Sequence, residues 1–350
     1  MKNIIAIDVA SEVSAVCVLS KEGKVLSEEL VRTEIKELGQ IIKRVKEPKQ
    51  VVFEEGTQAA WLWSELSHVC NDVFVCDPRQ NSRLSGNQKS DQSDAKNLAL
   101  RARANLLTRV WHGGEELRSL REAVRLYQTL VEDCVRQKNR LRAVFRGTGL
   151  KDGKAAYQSL KRKEVSKNLP LSIQRERVDR LGKVLDELEK QRASALKTMV
   201  KLARNNTMYK PLRSIPGIGP VFASMFISEV GSPDRFRTRA QLWAYGGLSI
   251  TTHESSEFEY RAGKISRKIR ATKTRGLTKT FNRFLKYVFK QAAMTLSRGP
   301  WKQEYAALLT RSKNANNAQL TIARKLASVM LNIAKTGEKY DVSKAFKKAS

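Results

Sequence analysis

The spacing of apolar positions changes twice along the chain. Short β-prone runs come first: NIIAIDVA, SAVCVLS and KVLSEELV, the last two separated by Lys21-Glu22-Gly23-Lys24, which suits a hairpin turn. Three strands are expected there. EIKELGQIIKRVK then places apolar residues at helical spacing, QVVFEE reads as a strand, QAAWLWSELSHV as a helix, and DVFVCDP as a strand stopped by Pro78. An opening meander followed by alternating strands and helices predicts an α/β sheet domain.

From about residue 115 to 205 the spacing is helical almost throughout. Leu117, Leu120, Val124, Tyr127, Val131 and Val135 recur at three and four, and Val178, Leu181, Leu185 and Leu188 do so again. Two long helices are expected, separated by the Gly- and Lys-rich stretch RGTGLKDGKAAYQSLKRKEVSKNLP. They suit an antiparallel pair whose apolar seams could join another protomer; alternatively they cover the sheet domain. The third part opens with LRSIPGIGPVFASMFISEVG, in which Pro-Gly-Ile-Gly makes a tight turn between helical segments. Gly217 and Gly219 would let the amides at the start of the next helix face a phosphate, so a helix-hairpin-helix that grips a nucleic-acid backbone is expected, with plain helix packing as the alternative. TTHESSEFEYRAGKISR reads as a polar loop, followed by the basic, aromatic-interleaved KIRATKTRGLTKTFNRFLKYVFK.

Length and composition narrow the chemistry. A chain of 350 residues has room for about two domains. No apolar run reaches the roughly 18 residues of a membrane span, and MKNIIAIDVASEV lacks the apolar core of a signal peptide, so a soluble cytoplasmic protein is expected. Cys17, Cys70, Cys76 and Cys134 form no CxxC pair and suit reduced core positions. His68, Cys70, Cys76 and His112 match no zinc-ligand spacing. The formal net charge is +31 and is unevenly placed: residues 1–100 hold 13 Lys/Arg against 15 Asp/Glu, whereas residues 261–350 hold 22 against 3. So basic an end expects a polyanion, since each phosphate neutralised releases condensed counterions, although docking to a ribosome or a membrane surface would use the same charge.

Against that background the acids stand out. Asp8 closes the first strand, Glu54 closes QVVFEE, and Asp91 and Asp94 open the helix DQSDAKNLALRARANLL, where residues three apart share a face. One at a time they have ordinary explanations, as an N-cap, a helix-dipole acid and a strand-end turn former. If adjacent strands deliver Asp8 and Glu54 to one edge, four carboxylates converge, and such a cluster is stable chiefly around divalent cations. Two Mg²⁺ ions about 4 Å apart would activate an attacking oxygen and stabilise a leaving one.

The ordered set AIDVA, VVFEEGT, DPRQ…KSDQSDAKNLA, LRSIPGIGPVFASMFISEVGSPDRFRTRAQLWAYGGL and ESSEFEYRAGKIS resembles the insertion-sequence transposases related to the Piv/MooV invertases, also called bridge-RNA recombinases, over nearly the whole chain. The resemblance implies an α/β plus α architecture: an RNase H-like, RuvC-like domain with a DEDD metal site over 1–110, a helical coiled-coil middle over 111–205, and a mostly helical C-terminal transposase domain with a nucleophilic serine over 206–350. By motif the tetrad falls on Asp8, Glu54 (preferred over Glu55), Asp91 and Asp94. The nucleophile falls on Ser256, with Ser255 as the alternative, and Glu257 stands where the family has Gly. Lys264, Arg267, Lys268 and Arg270, with Gly217 and Gly219, are the candidate nucleic-acid contacts. The implied activity is cutting and rejoining of double-stranded donor and target DNA through a phosphoserine, by a Mg²⁺-dependent homo-oligomer guided by a structured noncoding RNA, in the cytoplasm and on the nucleoid. A metal-dependent junction nuclease and a noncatalytic nucleic-acid-binding protein are the competing readings.

Overall fold

A computed structural model of the chain describes residues 2–78, 91–253, 257–261, 263–268, 273–312 and 314–345, with the backbone alone at a few of these, Asp91 among them. Two compact units divide it, 1–114 and 115–350.

The first unit is built on five strands, β1 (Asn3–Asp8), β2 (Val13–Leu19), β3 (Val25–Arg32), β4 (Lys49–Glu54) and β5 (Val73–Cys76), in the order β3-β2-β1-β4-β5. The expected meander β1–β3 pairs antiparallel, while β4 runs parallel to β1, and β5 to β4. Helices α1 (Ile35–Arg44) and α2 (Ala59–Leu66) supply the two crossovers that parallel strands require. Because successive strand residues face opposite ways, each strand feeds two cores. Ile5, Ile7, Val16, Val51, Phe53 and Val75 pack with Leu38, Ile42, Leu62 and Leu66 of α1 and α2. Ile4, Ala6, Ala15, Cys17 and Val52 pack with Ala95, Leu98, Ala99 and Ala102 of α3 (Asp91–Arg103). The sheet is thus covered on both faces.

The second unit opens with the two long helices read from the sequence, α4 (Glu115–Arg146) and α6 (Ser172–Arg204), with α5 (Ser159–Ser166) in the connection. They pack antiparallel: Leu120 and Val124 share a core with Met199 and Ala203, whereas Leu141 and Phe145 share one with Val178 and Leu185. Lys138 pairs with Glu189 between these ends. In the connection, Arg162 makes a bidentate contact to Asp186 at 2.7 and 2.8 Å and donates to the Ala156 carbonyl, which fastens α5 to α6. Of the seam read from the sequence, Leu120 and Val124 are buried against residues of this unit, whereas Val135 is exposed.

The rest of the unit surrounds α8 (Pro220–Val230), which follows the short α7 (Tyr209–Arg213). The sequence PVFASMFISEV is apolar on all sides, and a helix of that kind has to be buried all round. Residues Ala223 to Val230 are buried, and the hydroxyls of Ser224 and Ser228 are satisfied by the carbonyls of Pro220 and Met225. Around it lie α9 (Arg239–Tyr245), α10 (Arg283–Arg298), α11 (Lys302–Ser312) and α12 (Ala315–Thr336), followed by the short α13 (Val342–Ala345). Four strands interrupt this helical body: β6 (Ile250–His253), β7 (Glu257–Arg261), β8 (Lys264–Lys268) and β9 (Lys273–Leu277). They correct the reading of TTHESSEFEYRAGKISR as a polar loop. β6 pairs antiparallel with β9 and β7 with β8, the latter pair turning at Gly263, whose φ of 78° a side chain resists. Among the described residues no helix is long and apolar enough to cross a membrane.

Candidate functional site

Strand alternation decides which acids meet. Ile4 and Ala6 face α3, so Asp8, two residues on, ends β1 on that face; Val52 also faces α3, so Glu54 ends the neighbouring β4 on the same face. Ile7 sits opposite Phe53 in the parallel register, and Asp8 and Glu54 are the next step of both strands. The direction of α3 completes the arrangement. Its C-terminal Arg103 donates to the Glu22 carbonyl at 2.8 Å in the β2–β3 turn, and β2 leaves the sheet there at Leu19, opposite Ile4 at the start of β1. Thirteen residues of helix rise about 20 Å, the length of a six-residue strand. The other end of α3, with Asp91 and Asp94, therefore stands at the edge where Asp8 and Glu54 end.

Glu55 faces the other way. Its carboxylate lies 2.8 Å from His112 Nε2, and the largely buried His112 ring stacks on Trp63 of α2, on the opposite side of the sheet. Carboxylates such as Asp8, Glu54 and Asp94 offer oxygen donors alone, a chemistry that matches hard divalent cations better than zinc. Among the described residues no three His, Cys, Asp or Glu side chains converge closely enough to hold a metal ion, and the side chain of Asp91 is not among them. The four cysteines are free and buried, as their spacing suggested. Cys70 and Cys76 belong to opposite cores of the sheet, and burial pushes the Cys17 thiol up to about 11.

At the opposite sheet edge, Asp72 accepts from Lys2 at 2.9 Å and Gln50 at 2.7 Å and pairs with Arg109 at 3.3 Å, tying the start of β1 to β4 and β5. Burial alone would raise its pKa, but the hydrogen bonds from Lys2 and Gln50 outweigh that and hold the carboxyl below its ordinary range.

In the second unit, Ser255 and Ser256 lie outside the described residues, between the end of β6 at His253 and the start of β7 at Glu257; Arg270 also lies outside them. Lys264 opens β8 and is exposed, and Arg267 and Lys268 close the same strand. Gly217 has a φ of 80°, and Gly219 caps α8 with Pro220 at its first position; a Cβ at Gly219 would meet nothing within 4 Å. The turn is thus closed by glycine and followed by an uncrowded helix start.

A set of contacts absent from the sequence reading fixes the base of the β6–β9 pair, whose β6 strand precedes the serines in the chain. Thr278 N donates to Ser249 O at 2.9 Å, Asn282 N donates to Tyr245 O at 2.7 Å, and the Arg324 guanidinium donates twice to Leu248 O, at 2.8 and 2.6 Å. The Asn282 side chain also donates to the carboxylate of Glu229, a buried acid on α8. Gly246 and Gly247 allow this closure, since a Cβ on either would meet the ring of Phe289 or Phe281 at 2.7 or 2.6 Å. The Gly-Gly pair after α9 was the visible signal for such a close approach.

Comparison with known proteins matches residues 5–149 to the transposase domain of the DEDD IS110 type and residues 209–273 to the "Transposase IS116/IS110/IS902 family". The first match spans the sheet and the first long helix; the second runs from α7 to the start of β9. A Sinorhizobium fredii (strain NBRC 101917 / NGR234) protein named "Putative transposase y4qE" is 24% identical over 311 residues, covering 81% of this chain and 74% of that protein.

Proposed function

This chain belongs to the IS110 family of insertion-sequence DNA transposases, and on that premise we propose that it cuts and rejoins DNA through a phosphoserine, with Asp8, Glu54, Asp91 and Asp94 as the metal-holding carboxylates of a RuvC-like domain and Ser256 as the nucleophile. The observation that carries the reading is strand parity: Asp8 and Glu54 end neighbouring parallel strands on the face covered by α3, whose first turn carries Asp91 and Asp94. Glu55 is already engaged by His112 on the other face, which supports Glu54 as the family's glutamate.

In this reading the four carboxylates would hold two Mg²⁺ ions, which would supply Lewis-acid activation of the serine hydroxyl. The Ser256 oxygen attacks a backbone phosphorus. A serine–phosphate bond forms as a phosphorus–deoxyribose oxygen bond breaks, and the proton lost by the hydroxyl ends on the released deoxyribose oxygen. Attack by a deoxyribose hydroxyl of another strand reverses these changes and rejoins the backbone, conserving the number of phosphodiester bonds. Exchange between two duplexes needs several copies of the chain, so the working form is a homo-oligomer. The turn at Gly217 and Gly219 and the basic residues Lys264, Arg267, Lys268 and Arg270 hold phosphates without reading bases. A structured noncoding RNA selects donor and target in this account, and the protein works in the cytoplasm.

The test is a suicide DNA substrate whose released strand cannot return. Wild-type protein with Mg²⁺ should become attached to DNA, and Ser256→Ala should bind the substrate without attachment. Mg²⁺-dependent cleavage with no attachment, unchanged in Ser256→Ala, would favour a junction nuclease.

A further inference from the structure

One cavity plays no part in that scheme. It has a volume of about 560 Å³, lies between α9 and α12, and is closed on one side by the chain that follows α12. Gly337, in the left-handed region at φ 71°, reverses the backbone there so that residues 338–341 return along the cavity. That returning wall is pinned: Tyr340 N donates to Ser214 Oγ at 2.7 Å, and the buried Trp301 donates from Nε1 to the Tyr340 hydroxyl at 2.8 Å.

The opposite wall presents an aromatic ring with two arginines near it. The Trp243 indole is oriented by its Nε1–H, which donates to Arg324 O at 3.0 Å, and the guanidinium carbons of Arg239 and Arg324 lie 5.6 and 5.9 Å from its centroid. Arg324 is committed to the Leu248 carbonyl. Arg239 is exposed, and neither it nor Lys339 makes an ion pair among the described residues. Val329 and Ile333 give the cavity an apolar side, Ser328 and Asn332 offer a hydroxyl and an amide, and the lining carries the basic Arg239, Arg324, Lys325 and Lys339 against the acids Glu338 and Asp341.

The volume falls within the roughly 300–1,000 Å³ of pockets that hold one small molecule, so no duplex enters it. An aromatic face, apolar lining, a few hydrogen-bonding groups and cations at the rim are what an unstacked base and its phosphate require. We propose that this cavity holds one unpaired nucleotide of a nucleic-acid strand, its base against Trp243 and the Val329–Ile333 side and its phosphate on Arg239 and Lys339. The proposal rests on the reading of the chain as a nucleic-acid enzyme and adds a site that recognises single-stranded rather than paired nucleic acid.

The probe is a short oligonucleotide with a single 2-aminopurine, used as single-stranded DNA, single-stranded RNA and duplex DNA, with the full-length protein. Stacking in the cavity quenches the fluorophore. Wild-type protein should quench at least one single-stranded form saturably and the duplex much less, and whichever strand type quenches more identifies the source. Arg239→Gln removes a rim cation, and Asn332→Trp fills the space from an exposed helix position; each should weaken the single-strand affinity about tenfold while duplex binding and DNA attachment at Ser256 stay unchanged. AMP should compete and inorganic phosphate should not. Equal quenching in wild type and both variants, an equal loss of duplex binding, or competition by phosphate as strong as by AMP would overturn the proposal. Failure of DNA attachment in wild type with the quench intact would count against the recombinase reading and leave the cavity standing.

Discussion

Glu54 and Glu55 are neighbours in the sequence with opposite fates. Alternation guarantees that one carboxylate faces each way, but the sequence does not say which face of the sheet α3 covers; the packing of Val52 against Ala95 and Leu98 does. Glu54→Gln should therefore abolish DNA cleavage while leaving thermal stability close to wild type. Glu55→Gln should keep cleavage and cost about 1 kcal/mol through its contact to His112. A cleavage assay with a melting curve on both variants checks this, and the reverse pattern would reassign the site. Asp72 belongs to the same scale, although it stands at the far sheet edge. Burial opposes its charge and the hydrogen bonds from Lys2 and Gln50 prevail, so folding lowers its pKa from the ordinary 3.8. A group depressed in this way stabilises the fold above its unfolded value, and the contribution disappears as pH falls through the lower folded one. Asp72→Asn should lower the melting temperature at pH 7, and its deficit against wild type should narrow as the pH drops below about 4.

At the scale of elements the reading of the sequence divides cleanly by what determines each one. Strands β1 to β5 and helices α1 to α3 were legible because their apolar periods match burial on a two-faced sheet. The strands β6 to β9 were not: EFEYR and KISRK alternate weakly among charged residues, and their pairing is fixed by a turn at Gly263 and by clamps at Tyr245, Leu248 and Ser249 that come from distant parts of the chain. The long helices and their antiparallel pairing were legible from the same apolar period. Val124 is fully buried against this chain's own core, so Val124→Asp should unfold the second unit, at a cost above about 4 kcal/mol, rather than release folded monomers. Circular dichroism melts with sedimentation decide between these outcomes. The basic stretch from Lys264 to Arg270 gives a further prediction. Neutralising Lys264, Arg267, Lys268 and Arg270 together should reduce the slope of log affinity against log salt by up to about 0.9 for each DNA phosphate that no longer meets a cation. An unchanged slope would turn these residues toward solvent or protein.

For the whole molecule, the charge distribution is the first clue and chemistry the last. Residues 1–100 carry nearly balanced charge while residues 261–350 are strongly basic, so the candidate acids and the excess of basic charge lie toward opposite ends of the sequence. The four acids proposed as metal ligands belong to the unit 1–114, and the proposed nucleophile Ser256 to the sequence of the unit 115–350. Composition suggested the polyanion, and the order of the acids suggested a hard cation. The serine itself had no physical signal, since a hydroxyl between two strands is an ordinary turn residue; only resemblance to the family singled it out. The account therefore stands or falls on that side chain. The most direct measurement is mass spectrometry of the denatured adduct formed with the suicide DNA substrate and Mg²⁺, comparing wild type with Ser256→Ala and Asp8→Asn. The account predicts a nucleotide-bearing peptide with the modification on Ser256 in wild type, and DNA binding without any adduct in both variants. Cleavage in wild type with no attached DNA, or an adduct that persists in Ser256→Ala, would contradict it.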